Sequence, residues 1–197
     1  MNFLSHLYLA GNSEGLIIGN FIADSVKGSS YKDFSKEIQQ GIVLHRKIDA
    51  FTDSHPIVEL SKQRLREKYR KYAGVIVDIY YDHYLAINWD KYSDVELKTF
   101  VENVYSIIKE NHSILPLKSV QFTRYMLEHN ILLNYSKLEG IEKVLYGMSR
   151  RAKFQSNMEH AIHDLKEHFT LFENEFAIFF PELQQYVNDE ITNSLIP

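Results

Sequence analysis

The fold depends on one apolar segment, Gly74-Val75-Ile76-Val77-Asp78-Ile79-Tyr80-Tyr81-Asp82-His83-Tyr84-Leu85. Its β-branched and aromatic residues would suit a strand by composition alone. Strand alternation would place Ile76 and Asp78 on one face, whereas helical spacing aligns Asp78 with Asp82 and Leu85. The pattern therefore predicts a buried helix that carries acidic side chains.

The rest of the chain also favours helix, because its 197 residues include only 8 glycines and 4 prolines. The breakers are Gly11, Gly28, His55-Pro56, Gly74, Leu115-Pro116, Gly140 and Phe180-Pro181. Helix starts are expected at Ser13 with Glu14, at Asp53 or Ser54 before Pro56, and at Ser93, three residues before Glu96. With no internal repeat or long linker, the sequence predicts an all-α, single-domain helical bundle over residues 1–197.

Composition excludes several classes of function. The absence of cysteine rules out disulfides, thiolate zinc sites, iron–sulfur clusters and cysteine nucleophiles. A net charge of −4 argues against general nucleic-acid binding. No window approaches about 18 uninterrupted apolar residues, and residues 1–7 lack a secretory pattern, so we expect a cytoplasmic protein without a membrane segment.

Polar pairs four residues apart interrupt four strongly apolar segments. They are Asn2 with His6, Asn20 with Asp24, His45 with Asp49, and Asp78 with Asp82, which His83 follows directly. Such spacing puts two side chains on one helix face. A buried acid is costly unless it is paired or bound to a metal, so these positions are the first candidates for chemistry.

The pairs supply seven candidate metal ligands, which are three imidazoles and four carboxylates. They are His6, Asp24, His45, Asp49, Asp78, Asp82 and His83. Inward-facing ligands of this kind hold metals in helical bundles, and without thiolate they suit Mn²⁺, Fe²⁺ or Mg²⁺ better than a structural zinc ion. The alternative is that each pair is a structural ion pair on a helix surface, although four pairs in apolar sequence favour the metal site.

Cationic residues are the candidates for binding a phosphate group. Arg46 adjoins His45, and Arg150 and Arg151 stand between two predicted helical segments. An arginine that stabilises a helix end would explain the same pattern.

A second group of cations is concentrated in residues 61–72. Lys62, Arg64, Arg66, Lys68, Arg70 and Lys71 give this segment a charge of +5, while the rest of the chain carries −9. The segment is either a solvated helix face or a surface that attracts a small acidic protein.

The remaining histidines are weaker candidates. His160, His163 and His168 are expected in one long helix with Asp164, on an amphipathic face. His163 and Asp164 spell the dipeptide of HD phosphohydrolases, a match of little specificity. His55, His112 and His129 read as surface residues, and no Gly-x-Ser-x-Gly supports a nucleophilic serine.

Four blocks of the sequence closely resemble the acyl carrier protein phosphodiesterase family. They are MNFLSHL (1–7), GNFIAD (19–24), GIVLHRKIDAFTD (41–53) and DIYYDHYL (78–85), and the likeness continues through GMSRR (147–151) to FFP (179–181). The resemblance implies an HD-phosphohydrolase-like bundle that removes the 4′-phosphopantetheine arm from holo acyl carrier protein. It also implies a divalent metal, with manganese expected, and a small acidic carrier protein as partner.

The resemblance and the residues together suggest roles. Catalysis is assigned to Asp24, His45, Arg46, Asp49, Asp78 and Asp82, with one acid outside the metal shell as proton donor to the serine oxygen. Substrate binding is assigned to Arg46, Arg150, Arg151, Asn2 and Asn20, and carrier docking to the cations of residues 62–71. The alternatives are a metal-dependent phosphohydrolase of a nucleotide or other small phosphodiester, and a non-catalytic helical adaptor for acidic proteins.

Overall fold

The computed structural model describes residues 1–195, with side chains through residue 193. Its α-helices are α1 (Phe3–Leu9), α2 (Glu14–Ile22), α3 (Lys36–Ser54), α4 (Pro56–Tyr69), α5 (Ala73–Ile87), α6 (Leu97–Glu110), α7 (Leu117–Glu128), α8 (Ile131–Asn134), α9 (Leu138–Arg151), α10 (Ala161–Glu167) and α11 (Phe169–Leu195). No strand occurs among these described residues, so the all-α prediction is confirmed. Residues 196 and 197 of the predicted domain lie outside them.

Helix α5 is the predicted buried helix, and it packs against α1, α4, α9 and α11. Its tyrosines Tyr80, Tyr81 and Tyr84 are fully buried. Their hydroxyls remain satisfied, since Tyr84 donates to the carbonyl of Phe169 at 2.7 Å and Tyr81 lies 2.9 Å from the hydroxyl of Ser61. Each buried ring contributes about 1.5–3 kcal/mol, so α5 anchors the core.

Helix starts agree only in part with the sequence pattern. Ser13 begins α2 as predicted, and its hydroxyl accepts the N–H of Leu16 at 3.1 Å. Helix α4 does begin at Pro56, but its cap is His55, whose Nδ1 accepts the N–H of Ile57 at 3.3 Å. A ring nitrogen thus replaces the side-chain oxygen expected there.

The capping residues expected at Asp53 or Ser54 and at Ser93 were wrong. Asp53 and Ser54 belong to the last turn of α3. Ser93 accepts the N–H of Val95 in a tight turn, and α6 begins only after Glu96, which makes no side-chain cap. The side chain of Ser93 therefore stabilises a local turn and does not cap the helix to which the sequence pattern had assigned it.

Three expected breakers lie inside helices. Gly74 is in α5, Gly140 is in α9, and Pro181 is within α11, which runs for 27 residues. Helix α11 continues past the proline because it buries four phenylalanines, Phe172, Phe176, Phe179 and Phe180, on the core. That burial outweighs the backbone hydrogen bond that a proline removes. None of the described helices is both long and apolar enough to cross a membrane.

Two glycines let α2 and α3 approach each other closely. A Cβ added to Gly19 would lie 2.3 Å from the carbonyl oxygen of Ile38 and 2.6 Å from the Cα of Gly41. Any side chain at Gly19 or Gly41 would push the two backbones apart. The close contact places the polar positions of α2 beside His45 and Asp49 of α3.

Candidate metal centre

The structure brings together three of the seven predicted ligands, His6 from α1 and His45 and Asp49 from α3. Nε2 of His6 lies 3.1 Å from Oδ1 of Asp49, and Nε2 of His45 lies 3.2 Å from Oδ2. The two imidazole rings stack with centroids 3.9 Å apart. One ligand atom from each residue falls within 4.8 Å of the other two, which defines the candidate centre.

Asn20, on α2, controls the orientation of His6. Its Nδ2 donates to the carbonyl oxygen of Leu16 at 3.1 Å, which turns Oδ1 toward Nδ1 of His6 at 3.4 Å. Because Oδ1 only accepts, it favours a proton on Nδ1 and leaves the lone pair of Nε2 facing the cluster. Asn20 is 2% exposed, so it offers no surface for the substrate contact expected of it.

The protonation states of the cluster create a place for a cation. Burial and the neighbouring His45 lower the pKa of His6 to about 4. Although burial opposes its charge, hydrogen bonds with Asp24 and Asp49 raise the pKa of His45 to about 9. Although burial opposes ionisation of Asp49, its hydrogen bond with His45 lowers its pKa. The lone pair of His6 therefore faces an ionised carboxylate, an arrangement that a positive ion between them would stabilise.

The donor spacing is compatible with one divalent ion. Neighbouring ligands of an ion bound at about 2.1 Å lie about 3 Å apart, close to the separations from both histidines to Asp49. Neutral imidazole and carboxylate are donors that Mn²⁺ and Fe²⁺ accept readily. Nδ1 of His45 has no hydrogen-bond partner in the described part of the chain, so its polar contacts are all made through Nε2.

Asp24 lies at the open side of the cluster. Its Oδ1 is 3.5 Å from Nε2 of His45, and its side chain is 79% exposed. The hydrogen bond with His45 lowers the pKa of Asp24, which keeps this carboxylate charged at neutral pH. An ion held by His6, His45 and Asp49 would therefore meet solvent and substrate on the side of Asp24.

Asp78 reaches the cluster through the α-amino group of Met1. The amino nitrogen lies 3.2 Å from Oδ1 of Asp78 and 3.7 Å from Oδ1 of Asp49. Burial raises the pKa of Asp78. Burial opposes the charge of the amino group, yet Asp78 and Asp49 raise its pKa. This amino group was not among the sequence-predicted candidates, because a backbone amine leaves no signal in a residue pattern.

The other two predicted ligands make different contacts. Asp82 is fully buried and caps α1, since its oxygens accept the N–H of Leu4 at 2.8 Å and the N–H and hydroxyl of Ser5 at 3.1 and 2.5 Å. His83 points its Nδ1 at the carbonyl of Tyr135, 2.7 Å away. The structure brings neither residue into the three-residue cluster.

Arg46 lies at the rim, next to the turn that carries Asp24. Its guanidinium donates to the carbonyl of Val26 at 3.2 Å and stacks over the ring of Tyr31 at 5.3 Å. The side chain is exposed. Arg46 therefore contacts the backbone two residues after Asp24.

The sequence suggested that Arg150 and Arg151 lie between two helices. Both residues instead belong to the last turn of α9. Both are exposed. Arg151 lies 3.4 Å from the sulfur of Met148 and, with Asn2, lines a small cavity of about 30 Å³. Asn2 itself caps α1 by accepting the N–H of Phe3 at 3.0 Å. Asn2 and Arg151 therefore lie near the start of α1.

Four of the six cations in residues 61–72 are paired within the chain. Lys62 pairs with Asp53 at 2.7 Å, Arg64 with Glu175 at 2.8 Å, Arg66 with Glu59 at 2.8 Å, and Lys68 with Asp164 at 2.6 Å. The local excess of positive charge is therefore much smaller than the sequence suggested. The Asp53 pair also extends the polar row on α3, and its four-residue spacing from Asp49 was a signal available in the sequence.

Asp164 is buried, so the prediction that it lies on an amphipathic helix face was wrong. It is 3% exposed and accepts hydrogen bonds from the Tyr69 hydroxyl and from Lys68. The expected long helix is also interrupted, since α10 ends before His168 and α11 begins at Phe169. The structure thus gives Asp164 partners that satisfy its charge.

The other three weak histidine candidates differ in their exposure to solvent. His112 and His129 are exposed, as expected. His55 is buried, contrary to expectation, because it caps α4 and its Nε2 lies 3.2 Å from Glu182 on α11.

Fold and site together define an all-α protein with a candidate cation centre built from imidazole and carboxylate. A family model described as acyl carrier protein phosphodiesterase matches residues 1–183. The chain belongs to the acyl carrier protein phosphodiesterase family, whose members are phosphodiesterase enzymes. The match includes every residue of the candidate centre.

Three relatives named acyl carrier protein phosphodiesterase extend the likeness over nearly the whole chain. The protein of Yersinia enterocolitica is 32% identical, covering 96% of this chain and 99% of the relative. Those of Photorhabdus laumondii and Pectobacterium atrosepticum are each 33% identical, covering 94% of this chain and 94% and 96% of the relatives. No solved structure matches the chain, so the kinship to HD-type bundles stays a prediction.

Proposed function

We propose that this protein hydrolyses the phosphodiester that joins 4′-phosphopantetheine to a serine of holo acyl carrier protein, giving apo acyl carrier protein. Support comes from the family match and from relatives named for this substrate. The observation that carries the chemistry is the convergence of His6, His45 and Asp49 from two helices onto one point.

The cluster is proposed to hold one divalent ion, with manganese as the expected metal. When bound, such an ion supplies a Lewis acid for a phosphoryl oxygen and lowers the pKa of a water to about 7. His6 and His45 would serve as neutral donors through Nε2, and Asp49 would supply the carboxylate. The pKa of His45, raised to about 9 without an ion, implies that it releases a proton when a metal binds.

The remaining polar residues are proposed to handle substrate and protons. Water adds to phosphorus, the bond from phosphorus to the serine oxygen breaks, and the phosphate stays with pantetheine. Arg46, exposed at the rim, binds a phosphoryl oxygen and offsets the charge that develops there. Asp78 holds a proton more readily than an ordinary aspartate because burial raises its pKa, which suits it to supply the serine oxygen.

Mass spectrometry of holo carrier protein incubated with the protein and Mn²⁺ tests the proposal. The expected result is loss of the phosphopantetheine mass from the carrier protein, with wild type active and His45→Ala inactive. Cleavage of nucleotides or small phosphodiesters with no change in the holo carrier protein would contradict the proposal and favour the alternative substrate class. Cytoplasmic location and the preference for manganese are further predictions.

A further inference from the structure

A basic–aromatic patch lies where the loop after α9 meets the junction of α4 and α5. It consists of Arg70, Lys71, Tyr72, Lys153 and Phe154, which are exposed except for the half-buried Tyr72. Nζ of Lys71 lies 4.0 Å and Nζ of Lys153 lies 5.6 Å from the ring centroid of Phe154. The Tyr72 hydroxyl lies 3.3 Å from the backbone nitrogen of Phe154, which joins the two segments.

The cations of the patch differ from the rest of the basic segment because no acid of the described chain is paired with them. Arg70, Lys71 and Lys153 form no ion pair with any described residue, whereas the four cations before them are neutralised by acids of this chain. Phe154 is 57% exposed and borders a groove of about 550 Å³. Two unpaired lysines beside one exposed ring, with Arg70 lining the same groove, suit an acidic surface with an apolar contact point.

Contacts connect the patch to the candidate metal centre. Asp53 follows Asp49 by one turn on α3 and binds Lys62. The Cε atom of Lys62 lies 3.6 Å from the position of a Cβ added to Gly74, two residues after Tyr72. On the opposite flank, Arg151 shares a cavity with Asn2. These contacts link the part of α3 that follows Asp49 to the start of α5, which the patch adjoins.

The chemistry of the substrate requires a docking surface close to the metal centre. The scissile bond is formed by a serine oxygen, so the surface of the carrier protein must lie within one side chain of the metal centre. We infer that the basic–aromatic patch is the docking site for the acidic protein that carries the phosphodiester. This inference rests on the proposed function. It places the docking site at Arg70 and Lys71, the unpaired cations of residues 62–71, and at the loop after α9, whereas the sequence had assigned docking to all the cations of that segment.

The test reverses the three patch charges in one variant, Arg70→Glu/Lys71→Glu/Lys153→Glu. Affinity for apo carrier protein is measured by fluorescence anisotropy at low and high salt. We expect binding about tenfold weaker at low salt, with a flatter dependence on salt concentration. Affinity equal to that of wild type at low salt would overturn the inference.

A matched control reverses three exposed lysines on α6 and α7, Lys98→Glu/Lys109→Glu/Lys118→Glu. This variant carries the same change in net charge, and we expect it to retain most of the wild-type affinity. Equal weakening in both variants would also overturn the inference, because net charge and not the patch would then govern binding.

Two features keep the result interpretable. Apo carrier protein lacks the arm, so binding is measured even if wild type fails to hydrolyse holo carrier protein, an outcome that bears on the proposed function alone. If circular dichroism shows that the triple variant is unfolded, Lys153→Gln is compared with Lys118→Gln. A smaller loss of affinity confined to Lys153→Gln supports the patch, and no difference between the two overturns it.

Discussion

Nε2 of His6 and Oδ1 of Asp49 face each other across 3.1 Å although 43 residues separate them in sequence. Asn20 favours a proton on the opposite nitrogen of the imidazole, so the facing atoms are both electron-pair donors. Such a pair is stable only with a proton or a metal ion between its members. The relationship makes the candidate centre testable without any assumption about the substrate.

Mn²⁺ should stabilise the folded protein through Asp49. At about 100 times the dissociation constant, binding adds about 2.7 kcal/mol to the free energy of unfolding, which corresponds to a rise in Tm of about 5–10 °C. Calorimetry with Mn²⁺ and with a chelator measures this rise. Asp49→Asn should abolish it, whereas the exposed control Asp33→Asn should not. An equal rise in both variants would place the ion elsewhere.

Asn20→Ala should weaken metal binding although Asn20 is not a ligand. Loss of the Oδ1 acceptor frees Nδ1 of His6 and removes the preference for a lone pair on Nε2, an effect typically worth about 10–100-fold in affinity. Isothermal titration with Mn²⁺ measures the change. Asn20→Asp keeps an acceptor and should recover part of the affinity, and exposed Asn12→Ala is the control. Wild-type affinity in Asn20→Ala would show that His6 needs no such partner.

Gly19→Ala should destabilise the protein by about 1–3 kcal/mol or more, because the new methyl would meet the backbone of α3 at 2.3 Å. Urea unfolding measures the loss. Gly147→Ala is the matched control, since its Cβ would meet only the Tyr125 hydroxyl at 3.8 Å. That helical site should gain up to about 1 kcal/mol from the better propensity of alanine. Equal effects of the two substitutions would contradict the close contact of α2 and α3.

The ionisation of Asp82 should make stability depend on pH. Burial raises the pKa of Asp82 to about 6, and the hydrogen bonds from Ser5 and Leu4 offset only part of that rise. The folded state therefore holds the proton more tightly than the unfolded chain, so the carboxyl's contribution to stability falls as pH rises from about 4 through about 6. Relative to Asp82→Asn, wild type should lose about 2–3 kcal/mol of unfolding free energy over this range.

Unfolding at several pH values checks this prediction, with Asp33→Asn as the exposed reference. A difference between wild type and Asp82→Asn that is constant from pH 4 to about 7 would contradict it. A difference that grows as pH rises would give the opposite sign and point to a carboxylate stabilised by the N-terminus of α1.

Much of the fold follows from local pattern. The period of the α5 segment and the scarcity of breakers correctly predicted an all-α chain, and Ser13 correctly marked the start of α2. Two of the failures have a common cause, which is that burial can override a local signal. Pro181 lies inside α11 because that helix buries four phenylalanines, and His55 caps α4 because the ring also reaches Glu182.

The sequence identified candidate residues for the site, but it did not predict which of them contact one another. Four-residue spacing identified His45 with Asp49, since one helix holds both side chains. The same rule ranked Asp78 with Asp82 equally, yet Asp82 caps another helix and Asp78 pairs with an amino group. Spacing within one helix cannot distinguish these outcomes, because the partner comes from elsewhere in the chain.

The sequence by itself determined the helical class, the absence of thiolate chemistry and the list of donors available for a metal. Periodicity and composition reflect local preferences of the chain, so they can be read from the sequence alone. Only the tertiary structure decided that His6 joins His45 and Asp49, that Asn20 orients His6, and that four of six clustered cations are already paired. Those outcomes depend on contacts between segments that are distant in sequence. The approach of α2 to α3, for example, depends on Gly19 and Gly41, which are 22 residues apart.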